Sequence, residues 1–70
     1  MSTYAVVIEG QENSFSAYVP DLPGCVAAGE TVDEVELLIR EAIRVHVKSL
    51  RTHGEPVPKP ATSVRLVDVA

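Results

Sequence analysis

Residues 31–54 read TVDEVELLIREAIRVHVKSLRTHG, and this stretch decides the fold. Thr31 and Glu34 form a T-x-x-E capping box, in which each side chain satisfies a free backbone N–H at a helix start. Asp33 and Glu34 also suit the positive end of the helix dipole, while Arg44, Lys48 and Arg51 lie toward its negative end. The pattern predicts a helix from Val32 to about Thr52 or His53, with Gly54 as its C-terminal stop. Val35, Leu38, Ile39, Ala42, Ile43, His46 and Leu50 recur at helical spacing and define an apolar face. The opposite face carries Arg40, Glu41, Arg44, Lys48 and Arg51, interrupted by Leu37 and flanked by Val47. Glu36 and Arg40 are an (i, i+4) pair in the favourable order, acid first.

Upstream of the helix the period changes to two. Tyr4–Glu9 (YAVVIE) is β-branched and aromatic, which predicts a strand. Both of its faces are apolar, as expected for a strand covered on two sides or covered on one side by a second subunit. Gly10-Gln11-Glu12-Asn13 predicts a hairpin turn, because Gly and Asn accept positive φ. Ser14–Val19 alternates Ser14, Ser16 and Tyr18 against Phe15, Ala17 and Val19, a strand with one buried face. Pro20-Asp21-Leu22-Pro23-Gly24 must leave the sheet, since two prolines remove two ladder donors. Cys25–Ala28 suits a short third strand closed by Gly29.

Downstream, Glu55-Pro56-Val57-Pro58-Lys59-Pro60 predicts a stiff, polyproline-like return connection. Ser63–Val69 (SVRLVDV) predicts a last strand, with Val64, Leu66 and Val67 as its burial candidates. The order is β-β-β-α-β: an α+β fold, an antiparallel-rich sheet with one long helix on one face. Residues 1–70 are expected to form a single domain.

Composition narrows the function. Six Lys and Arg stand against ten Asp and Glu, a formal net charge of −4. That opposes direct nucleic-acid binding, where basic residues neutralise phosphates. It suits a basic protein partner, because opposite potentials steer encounter. The single cysteine, Cys25, excludes an intramolecular disulfide. No Cys/His cluster has zinc-ligand spacing. A core this small rarely supplies more than about 3–5 kcal/mol, so self-association into a dimer or tetramer is the expected extra source of stability. No signal peptide follows Met1-Ser2-Thr3, and no apolar run approaches the roughly 20 residues that span a bilayer. A cytoplasmic protein without membrane contact is expected.

Val19-Pro20-Asp21-Leu22-Pro23-Gly24-Cys25, Gly29-x-Thr31-x-x-Glu34, Arg40-Glu41-Ala42-Ile43 and Gly54-Glu55-Pro56-Val57-Pro58-Lys59-Pro60 follow one another along the chain. Taken together these four segments resemble the HicB-like antitoxin family. Each is weak alone; their order and distances carry the resemblance, which runs from about Tyr4 to the last strand. It implies a truncated ribonuclease H-like fold (the HicB fold). It also implies an antitoxin of a type II toxin–antitoxin system, one that binds and neutralises a HicA-like toxin, a small basic protein that cleaves mRNA. Many family members add a C-terminal ribbon-helix-helix or helix-turn-helix segment that binds the promoter. None is read here before Ala70, so the chain is expected to be a short form that does not bind promoter DNA. The alternative is an orphan interaction module of the same fold, non-enzymatic, with another partner or only itself.

The candidate residues follow. A ribonuclease H site needs several carboxylates converging on magnesium. Nothing in the spacing of Glu9, Asp21 and Asp68 brings them together, so no catalytic, metal or cofactor site is assigned. Cys25 with His46 or His53 lacks the sequence context of a nucleophile–base pair; Cys25 is read as a small apolar filler. His46 is read as a partly buried packing residue and His53 as a helix cap. The loop Asp21, Leu22, Pro23, Gly24 is the first candidate for partner binding, because proline-fixed loops present contact residues rigidly. Glu9 and Glu12 of the hairpin are the second, as acids offered to a basic toxin. Thr31, Glu34, His46, Gly54, Pro56 and Pro58 are expected to serve structure.

Overall fold

The computed structural model describes residues 2–70; Met1, the first residue of the expected domain, lies outside them. Three strands precede one long helix: β1 (Val7–Gln11), β2 (Ser14–Tyr18), β3 (Val26–Gly29) and α1 (Val32–Thr52). The strands form an antiparallel sheet in the order β1-β2-β3. The helix lies across one face of it, chiefly over β3 and β2.

The β1–β2 turn narrows to two residues, Glu12 and Asn13, both at positive φ (46° and 65°). This is the mirror-image turn whose twist matches the flanking strands. The expected four-residue turn is therefore shorter, and β1 runs on through Gly10 and Gln11. Gly10 sits at φ 134° opposite Phe15, where a Cβ would collide with the Ser14 carbonyl. β1 also begins at Val7 rather than Tyr4. Its pairing starts at Val7 opposite Tyr18. Beyond that point Val19 donates its N–H to Cys25 instead (3.2 Å), and Pro20 has no N–H to give.

The core is Ala17, Val19, Leu22, Cys25, Val35 and Ile39. Tyr4, Val6, Ile8, Phe15, Ala27, Ala42, Ile43 and Val47 pack around it. The inward face of the helix is thus turned slightly from the expected stripe. Val47, placed at the edge of the polar face by the sequence, joins the core, while Leu38 is exposed. Leu37 is exposed as expected.

Both helix ends match their sequence signals. Thr31 Oγ1 accepts the Glu34 N–H at 3.0 Å, and Glu34 Oε1 accepts the Glu30 N–H at 2.8 Å. The reciprocal bond of the capping box therefore reaches one residue further upstream than the standard pattern. At the other end Gly54 takes φ 70°, and Gly54 and Glu55 donate back to Arg51 and Leu50. That pair of bonds is the Schellman closure, for which glycine supplies the left-handed residue. His53 Nδ1 lies 2.7 Å from the Ser49 carbonyl, as a cap should.

The expected fourth strand does not form. Residues 55–70 carry no regular element and pair with no strand among the described residues. Val64, Leu66, Val67 and Val69 are exposed, Leu66 at 98%. The root of the segment is held elsewhere. The Tyr4 hydroxyl donates to the Pro58 carbonyl, and the Asp21 carboxylate then accepts the N–H groups of Ala61 and Thr62. The chain is thereby fastened to the β2–β3 loop, and among the described residues no strand pairs with the outer edge of β1. The radius of gyration is 13.5 Å, against about 11 Å for a compact chain of this length.

Candidate partner-binding site

The Pro-Gly loop is built from the inside. Val19, Leu22 and Cys25 are buried, and Leu22 and Cys25 close it through backbone bonds, Leu22 N–H to Val19 O (3.0 Å) and Cys25 N–H to Leu22 O (3.1 Å). Leu22 is only 1% exposed. It anchors the loop in the core, and its side chain offers almost no surface, where the sequence suggests a contact residue. Asp21 is occupied too. One carboxylate oxygen accepts from Ala61 and Thr62, both at 3.0 Å, and the other accepts the Thr62 hydroxyl at 2.9 Å. The backbone donors, Ala61 first and then Thr62, lower its pKa from the ordinary 3.8. Pro23 and Gly24 are the exposed part of the loop.

Glu9 and Glu12 are exposed as expected, but they do not join the loop in one patch. Glu12 sits at the hairpin tip, and β2 separates the tip from the loop over its five residues. Glu12 therefore lies at the end of the sheet opposite the loop, with Glu9 midway along β1 between them.

The open face of the sheet connects them. Side chains alternate along a strand. With Ile8, Phe15, Ala17 and Ala27 packed toward the helix, Val7, Glu9, Ser16, Tyr18, Val26 and Ala28 face away from it. Pairing aligns Val7, Tyr18 and Val26 in one row, with Glu9, Ser16 and Ala28 in the next. Val26 is 64% and Tyr18 43% exposed. An apolar row edged by an acid, with no cation from the three strands, is a surface suited to a partner. Tyr18 and Val26 were not singled out from the sequence. The signal was available: a two-residue turn fixes the register that aligns them.

Burial raises the Cys25 thiol above its ordinary 9.0, which keeps it protonated and unreactive at neutral pH. His46 is half-buried in a shallow hollow with Gly24, Cys25, Val26 and Ala42. Among the described residues no three His, Cys, Asp or Glu side chains are grouped as metal ligands. No helix among them is long and apolar enough to cross a membrane.

A small α+β sheet-and-helix domain with an uncovered apolar sheet face has the form of a protein-binding module. Residues 4–68 match the family described as the HicB-like antitoxin of bacterial toxin–antitoxin systems, and the chain belongs to that family. A UPF0150 protein of Thermoplasma acidophilum is 40% identical over 57 residues, covering 80% of this chain and 83% of that protein. An uncharacterized 14.9 kDa protein of Haemophilus phage HP1 is 38% identical over 80% of this chain, but only 42% of its own length is matched. Among solved structures, a chain of the "HicA3 and HicB3 toxin-antitoxin complex" superposes with a TM-score of 0.72 at 33% identity. That match covers 86% of this chain and 70% of the other. The α+β fold and the family resemblance read from the sequence are both borne out.

Proposed function

We propose that this chain is the antitoxin of a type II toxin–antitoxin system, and that it neutralises a HicA-like, mRNA-cleaving toxin by covering the surface through which the toxin meets RNA. Family membership supports this reading, together with the likeness to a chain from a toxin–antitoxin complex. The proposed contact surface is the open sheet face. Val7, Tyr18 and Val26 supply the apolar centre, Glu9 the charge, and Pro23 and Gly24 the end nearest the loop. Glu12 extends the acidic side at the hairpin tip.

Charge also distinguishes this face from the helix side. Arg40, Arg44, Lys48 and Arg51, four of the chain's six cations, line one hollow beside α1. Arg40 and Arg44 are paired with Glu36 and Glu41, and Lys48 and Arg51 are in no ion pair among the described residues. A basic toxin is repelled there and drawn to the sheet face, where Glu9 stands without a neighbouring cation from the strands. The chain performs no chemistry in this account: it acts in the cytoplasm as a single domain, by occlusion, and contacts neither nucleic acid nor membrane.

Co-expression with the product of the adjacent reading frame tests the proposal. A stable complex that co-purifies is the expected result. Independent elution of two folded proteins at micromolar concentration points instead to an orphan interaction module.

A further inference from the structure

The protruding segment 63–69 and the open edge of β1 fit each other, though not within one chain. We propose that they are the two halves of a reciprocal exchange: each copy lays its arm along the β1 edge of a second copy. The inference is independent of the antitoxin reading.

Four observations carry it. The arm has strand-like composition, and its apolar residues Val64, Leu66, Val67 and Val69 are exposed, Leu66 almost entirely. Such a segment in solvent is a strand without a sheet. Second, β1 is an edge strand with nothing on its outer side among the described residues. The helix covers mainly β2 and β3, so beside β1 it leaves an apolar groove. Its floor is Tyr4, Val6, Ile8, Ile39 and Ile43, and it continues past Val47 and Val57 along the helix.

Third, the lengths and faces match. Seven residues of strand span about 23 Å; the five residues of β1 span about 17 Å, and the groove floor continues past its start through Val6 and Tyr4. By alternation Val64, Leu66 and Asp68 share one side of the arm, while Arg65 falls on the other. That side offers two apolar residues to the floor and one carboxylate to a rim formed by Arg40, Arg44, Lys48 and Arg51. Within that rim Arg40 and Arg44 are paired with Glu36 and Glu41, which leaves Lys48 and Arg51 as the partners for the arm's carboxylate.

Fourth, the arm does not reach its own β1 edge. The bonds to Asp21 fasten its root beyond β2. A second copy presents the same edge without that tether, and a two-fold axis makes both exchanges at once. The strand expected from the sequence at Ser63–Val69 is then a real strand, formed between chains.

The test uses the whole chain and its Leu66→Asp variant. Leu66 touches little in the monomer, so circular dichroism of the variant should match the parent. Light scattering at about 100 µM should give a dimer for the parent and a monomer for the variant. Both arms of the dimer lose a buried leucine, so dimerisation should weaken by at least on the order of 100-fold. Isotope-filtered NMR on a mixture of differently labelled copies should show Leu66 of one copy near Val6 and Ile8 of the other. A monomeric parent overturns the proposal. So does a variant dimer of unchanged affinity, which would place the contact elsewhere. If Leu66→Asp leaves the mass unchanged but abolishes toxin capture, the arm serves the toxin and the exchange is refuted.

Discussion

Asp21 and Thr62, separated by 41 positions in sequence, are joined twice: the carboxylate accepts the Thr62 N–H at 3.0 Å and its hydroxyl at 2.9 Å. With the Ala61 N–H as a third donor, this loop aspartate sets the direction in which the C-terminal segment leaves the domain. A residue type usually read as turn chemistry here works across the fold.

The tether should therefore be acid-sensitive. Hydrogen bonds to the ionised form lower the Asp21 pKa from 3.8 in the folded chain. A group so depressed stabilises the folded arrangement fully above 3.8, and the contribution is lost as pH falls through the lower, folded value. NMR spectra recorded while lowering the pH should show the Ala61 and Thr62 amides shifting below pH 3.8, whereas Asp21→Ala should release them at neutral pH. Retained amide protection in Asp21→Ala would contradict the role.

Ile39 is the deepest test of the core. It is buried between helix and sheet beside Val35. Ile39→Ala should cost about 2–5 kcal/mol, a large share of the roughly 3–5 kcal/mol that a core of this size supplies. Urea denaturation should show a midpoint lowered by half or more. A change below 1 kcal/mol would mean the packing described is wrong.

Thr31→Ala removes the acceptor for the Glu34 N–H. The expected loss is about 0.5–2 kcal/mol, with faster hydrogen exchange confined to the first turn. Thr31→Ser keeps the oxygen and should retain most of the stability.

Val26→Asp and Glu9→Lys probe the open sheet face. Both residues are exposed, so folding should be unaffected by either change. Val26→Asp should weaken toxin binding by about 1–3 kcal/mol, mainly through faster dissociation. Glu9→Lys should slow association and reduce its salt dependence. Equal binding by both variants would remove this face from the proposed interface.

Much of the fold was legible because it rests on local chemistry. The capping box at Thr31 and Glu34 and the glycine stop at Gly54 fix α1 from Val32 to Thr52, as the sequence predicts. The alternation at Ser14–Tyr18 and the prolines after it likewise mark β2 and its end. The misreadings concern long-range partners. Leu22 looks like a loop residue until Val35 and Ile39 are seen in the same core. Asp21 looks free until Ala61 and Thr62 meet it. Ser63–Val69 has strand composition, but composition does not say which edge, or whose, receives it. The apolar row of Val7, Tyr18 and Val26 needed the register, which only the length of the hairpin turn supplies.

The central claim is that this chain silences a ribonuclease toxin through its uncovered sheet face. Cleavage of an mRNA substrate by the adjacent-frame protein, titrated with the parent chain and with Val26→Asp, tests it most directly. The account predicts complete inhibition near one antitoxin chain per toxin, and a shift to much higher ratios for the variant. Undiminished cleavage at saturating parent chain would contradict it.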